Sequence, residues 1–112
     1  MPSARLVTHI EHGDPWLSVN GTITATIPIG DYVDMMVDHS DEGSFLWSEI
    51  FCQAEEGIRV DIMAEHRQPE RFSLRISNEG VEEGYFDAYH LDPYYGATDV
   101  QVTFIRRGWI VD

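Results

Sequence analysis

Lysine is missing from this sequence, and all seven of its basic residues are arginine. Twenty acidic residues oppose them, which gives the 112-residue chain a formal net charge of −13 at pH 7. Lysine is among the commonest residues of ordinary proteins, so its absence has two explanations. A GC-rich genome or a high-salt cytoplasm produces it through composition alone, whereas selection for a negative surface produces it through function.

Cysteine is almost as scarce, since Cys52 is the single one, and an intramolecular disulfide is therefore excluded. Its apolar neighbours Trp47, Ile50 and Phe51 are typical of a buried and unreactive thiol. No apolar run approaches the ~20 residues that a membrane helix needs, and no basic segment followed by an apolar run opens the chain. We therefore expect a cytoplasmic protein, of the source organism or of an infected host, with no membrane association.

What the sequence does contain is enough apolar material for one core. Hydrophobic residues make up 43% of the chain, and three tryptophans, five tyrosines and five phenylalanines are among them. A chain of this length buries roughly two-thirds of its unfolded surface, so it can fold without disulfides. We predict one acidic, β-rich domain over residues 1–112.

Alternation of polar and apolar residues predicts short strands along most of the chain. Asn20-Gly21 predicts a two-residue type I′ turn between strands at 16–19 and 22–27, because both residues tolerate positive φ. Residues 45–54 fit a helix or a strand, and we favour the strand. Further strands are expected at 5–11, 58–65, 71–77, 85–89 and 100–104, with 109–111 pairing or packing after a break at 106–108.

The period changes after Gly30, where residues 31–39 predict a short helix with Asp31 as its N-cap. At about 100° per residue, Asp31, Asp34, Asp38 and Asp41 then lie on one face. The fold class that follows is α+β and mostly antiparallel β: a sandwich or partly open barrel of about seven or eight short strands with one short helix.

The negative charge is concentrated in two blocks. Residues 31–56 carry eight acids and no base, and residues 76–105 carry six acids and no base. Between the blocks, a hairpin of residues 58–65 and 71–77 would let arginines pair across strands with acids. The expected members of these pairs are Arg59, Arg71 and Arg75 on one side and Asp61 and Glu65 on the other.

Carboxylates mixed with tyrosines are a suitable composition for a protein interface. We predict a partner-binding surface made of Asp31, Asp34, Asp38, Asp41, Glu42, Glu82, Glu83, Tyr85, Tyr89, Tyr94 and Tyr95. Direct binding of nucleic acid is disfavoured, because a net charge of −13 repels a polyanion. The expectation is a non-enzymatic inhibitor that masks a basic, nucleic-acid-binding surface of a partner protein, as phage counter-defence and immunity proteins do. The sequence leaves open whether the chain forms a homodimer.

Residues 38–49 resemble the calcium loop of an EF-hand, which makes a calcium-binding module one alternative. Gly43 stands where the loop turns sharply, but Leu46 replaces a polar residue and no second loop is present to pair with it. The oxygen ligands would come from Asp38, Ser40, Glu42, the Ser44 carbonyl and Glu49. Our expectation is nevertheless that no metal and no other cofactor is bound.

Catalytic motifs are absent: the sequence has no nucleophile elbow, no phosphate-binding loop and no zinc helix of the H-E-x-x-H type. The acid pairs Glu55/Glu56 and Glu82/Glu83 are adjacent, which in a strand places the two groups on opposite faces. We therefore expect no enzymatic activity. The alternative is a small enzyme or ligand-binding β-barrel whose site is assembled by folding, and it predicts a concave pocket lined by aromatic residues.

Overall fold

The computed structural model describes residues 3–39, 43, 45–64, 71–80 and 98–110. Within these ranges the chain forms seven strands. Their bounds are β1 Ser3–His12, β2 Trp16–Thr26, β3 Tyr32–Asp38, β4 Phe45–Ala54, β5 Ile58–Ala64, β6 Arg71–Asn78 and β7 Asp99–Ile110.

The strands form two open sheets in which every neighbouring pair is antiparallel. The four-stranded sheet has the order β1-β2-β7-β4, and the three-stranded sheet has the order β3-β6-β5. The prediction of a mostly antiparallel β protein is confirmed. Neither sheet closes into a barrel, and none of the described residues is helical.

The core lies between the two sheets and follows the strand alternation. In β6, every second residue from Phe72 to Asn78 is buried. Phe72 meets Phe104 of the opposite sheet edge to face, with ring centroids 5.6 Å apart. The buried apolar residues are Leu17, Val19, Ile23, Ala25, Ile27, Val37, Phe72, Leu74, Ile76, Val100, Val102 and Phe104.

The predicted helix at residues 31–39 is wrong, because this segment forms strand β3 and pairs with β6. Val33, Met35 and Val37 alternate towards the core. The predicted helix would have placed Val33 and Val37 on one apolar face together with Tyr32 and Met36. What local sequence cannot supply is the partner strand, whose hydrogen bonds and arginines favour the extended form. The four aspartates therefore do not form a helical stripe.

The predicted turn at Asn20-Gly21 is also wrong, because β2 runs through both residues without interruption. Gly21 lies opposite Phe104 in the sheet, and a Cβ at this glycine would come within 2.1 Å of the Phe104 ring. The glycine thus makes room for an aromatic ring on the neighbouring strand. The turn between β1 and β2 lies at residues 13–15, where the Asp14-Pro15 peptide bond is cis.

Asn78, which is 2% exposed, joins the two sheets at the end of β6. Its Nδ2 donates to the carbonyl of Ile27 at 2.9 Å, and its backbone N–H donates to the carbonyl of Asp31 at 3.0 Å. Gly30 N–H donates in turn to the Asn78 carbonyl at 2.7 Å. The crossover from the four-stranded to the three-stranded sheet is therefore fixed by hydrogen bonds at a buried position.

The last strand is longer than its sequence suggested, since β7 continues through Arg106-Arg107-Gly108 without a break. Gly108 again marks a close approach: a Cβ there would lie 2.8 Å from the Trp47 ring of β4. The favoured strand at residues 45–54 is confirmed as β4.

Candidate protein-binding surface

The outward face of the four-stranded sheet carries large apolar side chains that the core does not cover. Those on β2, β4 and β7 are Trp16, Leu46, Phe51, Ile105 and Trp109, with exposed fractions of 37, 67, 60, 42 and 48%. We call these five residues the apolar patch. Scattered apolar residues are ordinary on protein surfaces, whereas contiguous ones mark interaction sites.

Strand register brings the apolar patch together. Trp109 of β7 lies between Trp16 of β2 and Leu46 of β4, while Phe51 of β4 lies opposite Ile105 of β7. Neighbouring strands are ~4.8 Å apart, so side chains in such cross-strand pairs touch. The patch therefore consists of two cross-strand rows on one face, Trp16–Trp109–Leu46 and Ile105–Phe51, with the exposed Arg107 between them on β7.

A β-bulge in β4 makes this arrangement possible. The pairing of β4 with β7 shifts between Trp47 and Ile50. Leu46 and Phe51 are five positions apart and would face opposite sides of a regular strand, but the extra residue at the bulge turns Phe51 outward. The same shift turns Ile50 and Cys52 towards the core, where burial raises the pKa of the Cys52 thiol.

The other end of the same face is polar. Its open groove of about 1070 Å³ contains no aromatic side chain among the described residues, unlike the pocket expected of an enzyme or ligand-binding barrel. The lining residues are Ser3, Ala4, Arg5, Thr24, Ala25, Thr26, Gln53, Ala54, Glu55, Asp99, Val100, Gln101 and Thr103. The outward face therefore divides into a polar end and an apolar end.

The predicted aspartates of β3 are engaged by arginines of β6. Both carboxylate oxygens of Asp34 accept hydrogen bonds from Arg75, at 2.8 Å from Nε and 3.1 Å from NH2. Asp38 accepts from Arg71 Nε at 3.0 Å. The hydrogen bonds from Arg75 hold the pKa of Asp34 below its usual value. Asp31 caps the strand instead, its Oδ1 accepting from the Tyr32 N–H at 2.8 Å.

The predicted arginine pairs are formed in part with different partners. Arg59 contacts Asp61 at 3.1 Å along its own strand. Arg75 lies opposite Asp61 in the sheet but makes its hydrogen bonds to Asp34, and it also stacks on the Tyr32 ring at 4.3 Å. Because β6 is the central strand, its arginines have acids on two sides, and the prediction considered the β5 side alone.

The remaining predicted partner-binding residues lie outside the described residues, and so does Glu65. They are Asp41, Glu42, Glu82, Glu83, Tyr85, Tyr89, Tyr94 and Tyr95. Their role in binding stays a prediction.

The loop that resembles an EF-hand is flanked by strands β3 and β4 rather than by helices. Asp38, its first predicted ligand, accepts a hydrogen bond from Arg71. Gly43 has a φ of 98°, as the sharp turn required, while Ser40, Glu42 and Ser44 lie outside the described residues. No group of three or more metal-ligating side chains occurs in the part of the chain that the structure describes.

A polar cluster that the sequence did not indicate lies between the sheets, next to the end of β3. His39 is 4% exposed and contacts the rings of Trp47 and Phe72, at centroid distances of 5.5 and 5.9 Å. The Arg106 guanidinium lies over the same two rings, at 4.8 and 4.7 Å. Burial lowers the pKa of His39, and the nearby Arg106 charge lowers it further against the opposing effect of Asp38.

We expect acid to weaken the fold through His39. Its folded-state pKa lies below the ordinary value of 6.5, so the unfolded state takes up the proton first as the pH falls. The free energy of unfolding should fall through about pH 6.5 and level off below the folded-state pKa. Urea unfolding at about pH 7.5 and about pH 5.5 measures this loss.

The variant His39→Leu should lose less stability over that interval than the wild type, whatever its stability at neutral pH. His9→Gln serves as the matched control, because the His9 side chain is 74% exposed, and it should keep the wild-type pH dependence. Equal losses in the wild type and in His39→Leu would contradict the assignment.

None of the described residues forms a helix long and apolar enough to cross a membrane. No protein-family model matches the chain, and no curated protein or solved structure is detectably similar to it. What the protein does must therefore be inferred from its own surface.

The sequence signal for the apolar patch was weak but present. Trp16 is the first residue of β2 and Trp109 the last but one of β7, and period-two alternation places each on the face that does not carry the buried residues of its strand. Their meeting depends on the pairing of β2 with β7, which are separated by more than 70 residues in sequence. Phe51 could not be assigned a face, because the bulge that orients it leaves no mark in the sequence.

Proposed function

We propose that the protein is a non-enzymatic binding protein, an inhibitor that docks on a partner protein and masks its basic, nucleic-acid-binding surface. The exposure of the apolar patch carries this proposal. Aromatic residues are enriched in protein interfaces, and a few of them near the centre supply most of the binding energy. Trp16, Phe51 and Trp109 are the residues that we assign to this role.

The net charge of −13 supports a basic partner. A strongly negative protein attracts a positive surface over distances longer than contact and repels wrong partners of its own sign. Phage counter-defence proteins and immunity proteins, which act in the cytoplasm of a cell, are the class that combines this size and acidity. Likeness to that class is an analogy, and the apolar patch is the physical argument.

The acids have a different role in this proposal from the one that the sequence suggested. Asp34 and Asp38 form ion pairs with arginines, so they add little net field on their own face. We assign them to holding β3 on β6. The steering charge comes from acids elsewhere, among which Glu55, Glu56 and Asp99 are exposed.

The test is capture of the partner from the native cell by the wild type and by two matched variants. The double variant Phe51→Ser/Trp109→Ser removes one aromatic side chain from each row of the apolar patch, while Thr24→Ala/Thr103→Ala changes the polar end of the same face. We expect the captured protein to be basic, to be displaced by heparin, and to bind the patch variant about 30-fold more weakly, as loss of an aromatic anchor predicts. The control variant should bind as the wild type does.

Two results would count against this function. Unchanged affinity of the patch variant for the captured protein would remove the apolar patch from the interface. A captured protein that heparin does not displace would show that no polyanion-binding surface is masked.

A further inference from the structure

Strand β1 leaves one of its two edges without a partner among the described strands, because the four-stranded sheet begins with it. It pairs with β2 through ten consecutive residues and has no register shift. An unpaired strand edge is a template for another strand, and natural proteins usually blunt it with bulges, prolines, lysines or short length. The segment Ser3–His12 contains none of these residues and no bulge.

The other sheet edges differ from β1 in this respect. Strand β4 carries the bulge between Trp47 and Ile50. Strands β3 and β5 have seven residues each, against ten in β1. Strand β1 also carries one acid and one arginine, so it is a nearly neutral edge on a chain whose net charge is −13. Two copies can approach each other here with little repulsion between the two edges.

The sequence of β1 is complementary to itself in one antiparallel register. A two-fold axis perpendicular to the sheet keeps the outward and inward faces of both copies aligned. An odd-numbered residue of one copy therefore lies opposite an odd-numbered residue of the other, and an even-numbered residue opposite an even-numbered one. With the axis at Thr8, Arg5 of each copy lies opposite Glu11 of the other, and Leu6 lies opposite Ile10. Opposite charges, apolar pairs and a central threonine pair are the cross-strand combinations that stabilise antiparallel strands.

Neighbouring registers lose this match. With the axis moved to Val7, Arg5 would face His9 and Glu11 would face Ser3, so neither charge would find its opposite. Arg5, Val7 and Glu11 are exposed on the outward face. Among the described residues no side chain of β2 forms an ion pair with Arg5 or Glu11, and Glu11 lies 3.7 Å from His9 Nε2 of its own strand.

We propose that two copies of this chain form a symmetric dimer by antiparallel pairing of β1 with β1 about an axis at Thr8, which joins their four-stranded sheets into one continuous sheet of eight strands. The proposal concerns an edge that lies apart from the apolar patch, and it does not depend on the proposed function.

Charge exchange tests both the dimer and its register. Sedimentation equilibrium over the micromolar range should show a dimer for the wild type. Arg5→Glu places two glutamates opposite each other, and Glu11→Arg does the same with two arginines, so each single variant should dissociate at least about tenfold more readily. An equimolar mixture of the two variants should recover the wild-type association, because each mixed dimer contains two Glu–Arg pairs.

Matched controls separate this contact from net charge and from the apolar patch. Arg59→Glu and Glu55→Arg make the same changes of charge at exposed positions outside β1, and Phe51→Ser alters the patch, so all three should dimerise as the wild type does. A monomeric wild type, a mixture of variants that stays dissociated, or a control that weakens the dimer as much as Arg5→Glu would overturn the proposal. Circular dichroism of each variant confirms that the fold is kept.

Discussion

Replacing Phe104 by alanine should lower the free energy of unfolding by about 3–5 kcal/mol, as loss of a fully buried aromatic ring does. Phe104 is 1% exposed and connects the two sheets, because its ring meets Phe72 on one side and covers Gly21 beside it. Removing it opens a cavity at the centre of the core. Since domains of this kind are stable by roughly 5–15 kcal/mol, the variant should lose a large fraction of its free energy of unfolding.

Urea unfolding followed by tryptophan fluorescence measures this loss. Phe51→Ala is the matched control, since it removes the same side chain from β4 at a site that is 60% exposed, and it should cost less than about 1 kcal/mol. Comparable losses for the two phenylalanines would mean that the sheets do not pack through Phe104.

Replacing Gly21 by alanine should destabilise the protein by about 1–3 kcal/mol through overpacking. Alanine in a strand is ordinarily better than glycine by about 0.5–1 kcal/mol, because glycine loses more backbone freedom on folding. At Gly21 we expect the opposite effect on stability, since the added Cβ would lie 2.1 Å from the Phe104 ring in the absence of movement. Chemical unfolding of the single variant gives the size of the effect.

The origin of this effect can be tested by relieving the clash. In the double variant Gly21→Ala/Phe104→Leu the smaller side chain leaves room for the Cβ, so the total loss should be smaller than the sum of the two single losses by about 0.5–3 kcal/mol. Strict additivity would contradict a direct contact. A stabilised Gly21→Ala variant would contradict the course of β2 through this position.

Period-two alternation was sufficient to predict most of this fold. The alternating segments at 58–65, 71–77 and 100–104 became β5, β6 and β7, and the ambiguous segment 45–54 became β4, while the predicted strand at 85–89 lies outside the described residues. The predicted turn at 20–21 and the predicted helix at 31–39 were wrong because in each case the local signal has two causes. Asn20-Gly21 is typical of a turn, but glycine is also required where a ring from the next strand lies against the backbone, and one sequence does not distinguish them.

The second error shows the same limit. The apolar positions of residues 31–39 fit a helix and a strand almost equally well. The conformation that the segment adopts is decided by its pairing with β6. The candidate surface was less predictable than the fold, because it depends on register between strands far apart in sequence. The composition indicated a binding surface made of aspartates. In the structure, however, Asp34 and Asp38 form ion pairs with Arg75 and Arg71, which the sequence analysis had paired with Asp61 and Glu65.

The bulge in β4 also determines how the chain responds to a change of length. Deleting a single residue at positions 48–49 would place Ile50 two positions after Trp47 and restore regular alternation, so Phe51 would stay outward and Cys52 would stay inward. The shortened strand should therefore keep both faces. Regular pairing at full length would instead turn Phe51 into the core and expose Cys52, so the bulge allows β4 to be one residue longer than its partner strand without mixing the surface with the core.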